Sequence, residues 1–196
     1  MNSRTPPLAA RAAALPPEEA DSPALATPAL RLAGGPAANR WKPSVTVAAI
    51  IERAGRFLLV EEETAEGLKL NNPAGHLDPG ESPAQGCARE ALEETAHAFT
   101  PTALLGVYLS RVRREATGED ITYLRLAFAG ELGARDPDRA LDSGIVRTLW
   151  LTPDEIRASA QRHRSPLLLR CMEDYLAGVR LPLSAIYTDP SVTSLL

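Results

Sequence analysis

The chain contains 196 residues, of which 44% are hydrophobic and 23% charged, and its formal net charge is −4. These proportions are typical of a globular protein with one substantial core, and the acidic balance argues against nucleic acid or an anionic membrane as the main partner. Cys87 and Cys171 have no second thiol at a metal-ligand spacing, so reduced thiols are predicted in place of a disulfide framework or a zinc site.

The first forty residues consist mostly of Ala, Pro, Leu and Arg. Prolines from Pro6 to Pro36 exclude a long helix or a central strand, so residues 1–40 are predicted to form a disordered extension. The prolines and charges also interrupt any signal-peptide-like apolar run, and no run in the chain approaches the ~18 residues that span a bilayer. A cytoplasmic protein is therefore expected.

A folded domain is predicted over residues 41–190, followed by a tail at residues 191–196. Runs rich in β-branched and aromatic residues, bounded by turn residues, predict five strands, the first two joined by a turn at Ala54-Gly55. These strands cover residues 44–51, 56–61, 104–112, 121–130 and 145–151.

Three helices are predicted to start at hydroxyl-proline pairs, because the hydroxyl caps free N–H groups and proline suits the first helical position. The pairs are Ser82-Pro83, Thr152-Pro153 and Ser165-Pro166. The third helix is predicted to end at Gly178. Its helical spacing predicts that it buries Leu168, Cys171, Met172, Tyr175 and Leu176.

The first helix carries four charged residues beside an apolar stripe. Placing residues at intervals of ~100° sets Glu90 and Glu94 together on one flank, while Arg89 and Glu93 share the opposite, more exposed flank. Two carboxylates one turn apart repel each other unless a cation lies between them, and Mg²⁺ prefers oxygen ligands. Glu90 and Glu94 are thus the predicted metal pair, and an Arg89–Glu93 bridge is expected to hold Glu93 near the site.

The segment before this helix, residues 73–81, is predicted to be a tight loop in which two glycines allow the backbone to approach a metal or a phosphate. Together, the loop and the helix reproduce the signature G-x5-E-x7-R-E-U-x-E-E-x-G-U, in which U is apolar, and the chain therefore resembles the Nudix hydrolases over about residues 41–190. The matching residues are Gly75, Glu81, Arg89, Glu90, Glu93 and Glu94.

The sequence departs from this signature at its end. Ala96 replaces the closing glycine and His97 replaces the following apolar residue. An alanine in the left-handed conformation costs ~1 kcal/mol, so the helix is expected to lack its usual left-handed cap.

The resemblance implies an α+β fold, an α/β/α sandwich with a mixed sheet flanked by helices, that binds Mg²⁺ or Mn²⁺ and directs water at a phosphoanhydride. It implies metal ligation by Glu90, Glu94 and the Gly75 carbonyl, metal ligation or water orientation by Glu93, and support from Glu81 and Arg89. An acid from outside the signature often contributes. Asp142 is the candidate here, although it also suits a turn. Arg125 and His76 are candidate substrate-binding residues.

The segments at 41–43, 71–77, 164–167 and 180–183 resemble the bacterial Nudix phosphatases. Those enzymes act on nucleoside tri- and diphosphates and on the pyrimidine diphosphate precursor of thiamine, so a small phosphorylated substrate is expected. Two alternatives are a pyrophosphohydrolase that cuts between the α and β phosphates and a non-catalytic module that senses a nucleotide. Hydrolysis of RNA ends is disfavoured, because no basic stripe interleaved with aromatic residues is present.

Overall fold

The computed structural model of the protein describes residues 41–114 and 118–194. The extension predicted at residues 1–40 and the last two residues of the predicted tail lie outside the described residues. The strands are β1 (Ser44–Ile50), β2 (Glu52–Arg53), β3 (Arg56–Thr64), β4 (Gly67–Asn71), β5 (Ala74–His76), β6 (His97–Arg114), β7 (Glu119–Arg135) and β8 (Ile145–Leu151). The α-helices are α1 (Pro83–Thr95), α2 (Pro153–Ala158), α3 (Leu167–Leu176) and α4 (Pro190–Thr193), and short 3-10 helices lie at Ala160–Arg162 and Leu183–Ala185.

The strands among the described residues form two four-stranded sheets. The first sheet has the order β5-β1-β7-β6 and is mixed, because β1 runs parallel to β7 and antiparallel to β5. In the second sheet, β3 pairs antiparallel with β2, β4 and β8. Strands β4 and β5 were not predicted, since the short stretches around Asn71-Asn72-Pro73 have the composition of a loop.

Two layers of core residues hold helices against the sheets. One layer packs Val47, Ala49 and Phe128 against Cys87 and Ala91 of α1. A second layer joins apolar residues of both sheets to α2 and α3; its members include Ala48, Ile50, Phe57, Leu59, Ala127, Ile156, Leu168, Cys171 and Met172. The mixed sheet flanked by helices confirms the predicted fold class. None of the helices among the described residues is long and apolar enough to cross a bilayer.

Helices α1 and α2 begin as predicted. Ser82 and Thr152 each accept a hydrogen bond from the N–H three residues later, and Gln85 and Glu155 complete the two capping boxes. Helix α3 begins at Leu167, where Ser165 accepts from the Leu167 N–H. The predicted burial of Leu176 is wrong, because this side chain lies on the exposed side of the last helical turn.

The end of α1 corrects a second prediction. Ala96 adopts the left-handed conformation, with φ 56° and ψ 18°, and its N–H donates to the Leu92 carbonyl at 2.9 Å. The expected loss of the left-handed cap is therefore wrong. Ala96 is completely buried, so tertiary packing holds the residue where glycine would be favoured locally.

Candidate active site

A cleft of about 350 Å³ lies between the mixed sheet, the start of α3 and the buried edge of α1. Seven of the residues predicted from the sequence line it: Gly75, His76, Arg89, Glu90, Glu94, Arg125 and Asp142. Glu81 and Glu93 lie next to Arg89 and outside the cleft lining. The helical spacing and the loop signature therefore bring most of the candidate residues to one place.

Arg89 organises the helix side of the cleft. Its Nε and Nη2 atoms donate to the two oxygens of Glu81 at 3.0 and 2.7 Å, and Nη2 also donates to the His76 carbonyl at 2.9 Å. Its Nη1 donates to Glu90 at 2.8 Å and to Glu93 at 3.0 Å. The hydrogen bonds with Glu81 are the main reason that the pKa of Arg89 is raised. The predicted Arg89–Glu93 bridge is confirmed, but Arg89 also contacts Glu90 on the other flank.

Two glycines make room for this arrangement. A methyl group added at Gly75 would overlap the Glu90 carboxylate, so the β5 backbone and the Glu90 side chain are in direct contact. At Gly86, an added Cβ would lie 2.6 Å from Oε1 of Glu81. The need for a glycine at position 86 was not predicted. Nothing in the helix sequence indicates that Gly86 faces a side chain from outside the helix.

Glu94 lies one turn from Glu90, and both carboxylates are buried at the edge of β5. One oxygen of Glu94 accepts a hydrogen bond from the Ala74 N–H at 2.8 Å. Burial, together with the nearby acids Glu90, Glu62 and Asp142, raises the pKa of Glu94 to about 8. Burial also raises the pKa of Glu90, although Arg89 opposes this effect. The site thus concentrates acidic groups where solvent stabilises them poorly.

This donor set fits a hard divalent cation. The buried carboxylates of Glu90 and Glu94, with the backbone of Gly75 against Glu90, offer only oxygen ligands, which suit Mg²⁺ and Mn²⁺. No three His, Cys, Asp or Glu side chains among residues 41–114 and 118–194 converge as a ready-made metal cage. Glu90 accepts a hydrogen bond from Arg89, and Glu94 accepts one from the Ala74 N–H.

His76 and Asp142 line the cleft, and both residues are exposed. The His76 ring lies 6.3 Å from the ring of Tyr123, measured between centroids. The Asp142 N–H donates to the Glu93 carbonyl at 2.9 Å, which holds the loop before β8 against α1. The Asp142 side chain accepts from the Ser143 N–H at 2.8 Å, so this residue forms a turn and also lines the cleft.

The cleft lining also contains four polar residues that were not predicted as site residues. Thr46, Glu62 and Asn71 are buried like Arg125, whereas Arg164 is exposed. The sequence offered two signals. Asn71 and Arg164 lie in segments that resemble the Nudix phosphatases, and in the run Glu61-Glu62-Glu63 acidic residues continue an otherwise apolar strand. Glu61 lies outside the cleft lining and pairs with Arg147 and Arg162.

The fold and the signature residues together define the chain as a Nudix protein. The NUDIX domain family matches residues 40–171, which is more than half of the chain. The protein therefore belongs to the Nudix hydrolase family, whose members hydrolyse anhydrides in phosphorus-containing compounds and generally use divalent metal ions.

Individual relatives agree with this assignment. The chain is 37% identical over 147 residues to the phosphatase NudJ of Escherichia coli K12 and to that of Shigella flexneri, and the alignment covers 74% of this chain and 92% of each relative. A solved NUDIX hydrolase from Nitrosomonas europaea is 51% identical, with a TM-score of 0.69 over 76% of this chain and 98% of that one. A UDP-X diphosphatase, at 18% identity and a TM-score of 0.57, shares the fold.

Proposed function

We propose that the protein is a magnesium-dependent phosphatase that removes orthophosphate from a small-molecule di- or triphosphate, such as a nucleoside diphosphate. The observation that carries this proposal is the pair of buried carboxylates, Glu90 and Glu94, at one end of a polar cleft. Similarity to the phosphatase NudJ supports release of orthophosphate. The volume of the cleft, about 350 Å³, is in the range of sites that hold small molecules.

In this proposal, Glu90, Glu94 and the Gly75 carbonyl hold Mg²⁺ or Mn²⁺. The cation, when bound, neutralises phosphate oxygens and lowers the pKa of a water molecule. Glu90 and Glu94 have raised pKa values in their buried position, so binding of a cation would favour their ionised form, and the resulting attraction is stronger there than in bulk water. Because Gly75 has no side chain, the Glu90 carboxylate can lie directly against the β5 backbone, next to the Gly75 carbonyl.

Arg89 has a positioning role. Its hydrogen bonds to Glu81, Glu90 and the His76 carbonyl fix the helix to the loop that precedes it. Glu93, which Arg89 also contacts, is the candidate for an additional ligand or for orientation of the attacking water. Asp142 is a second candidate for activating water, because it lines the cleft close enough to Glu94 to affect that residue's pKa.

The test is a comparison of inorganic products. Nucleoside diphosphates and triphosphates are incubated with the protein and Mg²⁺, and orthophosphate and pyrophosphate are measured separately. Orthophosphate as the product from both substrates is expected. Pyrophosphate as the sole inorganic product from a triphosphate would instead identify a pyrophosphohydrolase, and turnover of no member of the panel would favour the nucleotide-sensing module.

A further inference from the structure

A smaller pocket of about 160 Å³ lies beside the cleft and shares Val112 and Arg164 with it. The rest of its lining comes from the β3–β4 hairpin and the end of β6, and it includes the cations Lys69 and Arg114. Glu66 is the one acid among the described residues that line this pocket. Three cations and one acid therefore surround a space roughly ten times the volume that one water molecule needs.

Lys69 has the longest ionic contacts of the three cations. Its side chain is 19% exposed, and its Nζ lies 3.8 Å from the nearer oxygen of Glu66. The same Nζ donates to the Gln161 carbonyl at 3.4 Å. Both separations are longer than the usual ~2.7–3.2 Å of a hydrogen bond from nitrogen to oxygen. A largely buried ammonium group needs close partners, so Lys69 can accommodate a closer acceptor than it has within the described residues.

Glu66 neutralises the pocket only loosely. Its side chain is exposed, and one oxygen lies 3.6 Å from Nε of Arg114, again beyond hydrogen-bond distance. The other two acids beside the cations make direct hydrogen bonds, because Arg114 donates to Glu119 and Arg164 donates to Glu62. An exposed pair at such a distance is weak in water. An anion from outside the protein can therefore take the place of Glu66 with shorter contacts.

The sheet register separates the pocket from the proposed position of the diphosphate. His76 of β5 lies opposite Thr46 of β1, which in turn lies opposite Arg125 of β7. Val112 of β6 lies opposite Ile121, four residues before Arg125 on β7. With ~4.8 Å between strands and ~3.3 Å per residue, the Val112 backbone lies roughly 20 Å from β5, beside which the predicted metal pair lies. A group in the pocket is thus distinct from the diphosphate itself.

The charge of the pocket favours an anion over other groups. A cation would be repelled by three cationic side chains, and an apolar group would leave Lys69 without a closer partner. Carboxylate and phosphate oxygens accept from both ammonium and guanidinium groups, and such charge-assisted hydrogen bonds are about twice as strong as neutral ones. Arg164 lines both the cleft and the pocket, so one ligand can occupy both spaces.

We propose that Lys69, Arg114 and Arg164 bind a second anionic group, a carboxylate or a phosphate, at the end of the substrate remote from the diphosphate. This group takes the place of Glu66 beside Lys69 and Arg114. The preferred substrates are then phosphorylated molecules that carry anionic groups at both ends. The inference rests on the proposed function, because it places the diphosphate at the predicted metal pair.

The test measures binding by isothermal titration calorimetry for linear alkyl monophosphates whose other end is a carboxylate or a primary amide. The full-length protein is used with Mg²⁺, and the chain length is graded. Monophosphates contain no anhydride, so the phosphatase reaction does not consume them. In chains long enough to reach the pocket, the carboxylate is expected to bind at least about tenfold more tightly than the amide. In the shortest chains the amide should bind at least as well as the carboxylate.

Three variants and one control assign the preference to residues. Lys69→Met and Arg114→Met should each reduce it to within about threefold. Glu66→Gln should strengthen carboxylate binding at least about threefold, because it removes the competing anion; an ion-pair network with only a structural role would lose stability without gaining affinity. Arg113→Met is the matched control, since Arg113 lies next to Arg114 and outside the pocket lining, and the preference should persist. Thermal unfolding checks that each variant is folded.

The inference is overturned if carboxylate and amide chains bind within about threefold of each other at every length, or if Arg113→Met removes the preference as fully as Arg114→Met. Inorganic phosphate is titrated separately into the wild-type protein and Lys69→Met. Phosphate binding that Lys69→Met abolishes, without a carboxylate preference in the chains, would assign the pocket to a free anion and overturn the substrate role. Failure of the proposed function has a different signature: no nucleoside diphosphate is hydrolysed, while the carboxylate preference and its loss in Lys69→Met remain.

Discussion

Arg89 and Arg125 line the same cleft, but their surroundings are opposite. Arg89 donates to three carboxylates and one backbone carbonyl, whereas two guanidinium nitrogens of Arg125 have no partner among the described residues. Burial lowers the pKa of Arg125, and neighbouring groups including Glu62 and Glu94 oppose this effect in part. Arg89, whose donors are paired, holds the site together, whereas Arg125, with unpaired donors in the cleft lining, is a candidate for contact with a ligand.

The Arg89 side of the cleft should be essential for turnover. Glu94→Gln removes a carboxylate ligand from the predicted metal pair, so kcat/KM should fall at least about a hundredfold, and a chelator should have a comparable effect on the wild-type protein. Glu63→Gln, at an exposed acid on β3, is the control and should retain activity. Turnover within threefold of wild type in both the chelated protein and Glu94→Gln would remove the metal from the mechanism.

Loss of Arg89 should reduce stability as well as activity. Arg89→Met leaves Glu81, Glu90 and Glu93 without their shared cation, and breaking a buried pair costs about 3–5 kcal/mol. Because the Arg89 side chain is 27% exposed, a smaller loss of about 2–3 kcal/mol in unfolding free energy is expected from urea denaturation. Arg89→Lys should not restore it, since an ammonium group cannot bind both oxygens of Glu81 in the same way. Wild-type stability in Arg89→Lys would contradict the positioning role.

Arg125→Met provides the sharpest contrast with Arg89→Met. Removing a buried cation whose donors are only partly paired also removes its desolvation cost, so the unfolding free energy should change by no more than about 1 kcal/mol. The value of kcat/KM for a nucleoside diphosphate should fall about tenfold, mainly through KM. If Arg125→Met destabilises the protein as much as Arg89→Met, the distinction between the two arginines is wrong.

The part of the cleft around Arg89 could be predicted from the sequence, because the features that form it are local in the chain. Helical spacing brings Glu90 and Glu94 together, and the capping box at Ser82 and Gln85 fixes where the helix begins. Both features depend on residues within one or two turns of each other. The conformation of Ala96 could not be derived in this way, because packing of the buried residue outweighs the local preference for glycine.

The Arg125 side depends on contacts between distant parts of the chain. Thr46, Glu62 and Arg125 come from three strands in two sheets, and they meet only because β1 pairs in parallel with β7 while β3 belongs to the second sheet. No periodic pattern within a single segment of the sequence predicts that these three residues lie close together. Arg125 itself was a candidate, but the acceptors that accompany it required the tertiary structure.

The smallest effect is expected for Glu61, a buried acid that, like Arg89, is paired with charged partners. The hydrogen bond from Arg147 is the main reason that the pKa of Glu61 is lowered from its ordinary value of 4.5, with Arg162 adding to the effect. A carboxyl group with a lowered folded-state pKa stabilises the fold above its unfolded-state pKa and loses that contribution as the pH falls through the folded value. Glu61→Gln should therefore cost about 1 kcal/mol at pH 7, and its difference from wild type should shrink in urea denaturation below pH 4.5. A difference that stays constant between pH 7 and pH 3 would mean that packing, and not the two ion pairs, accounts for the contribution of Glu61.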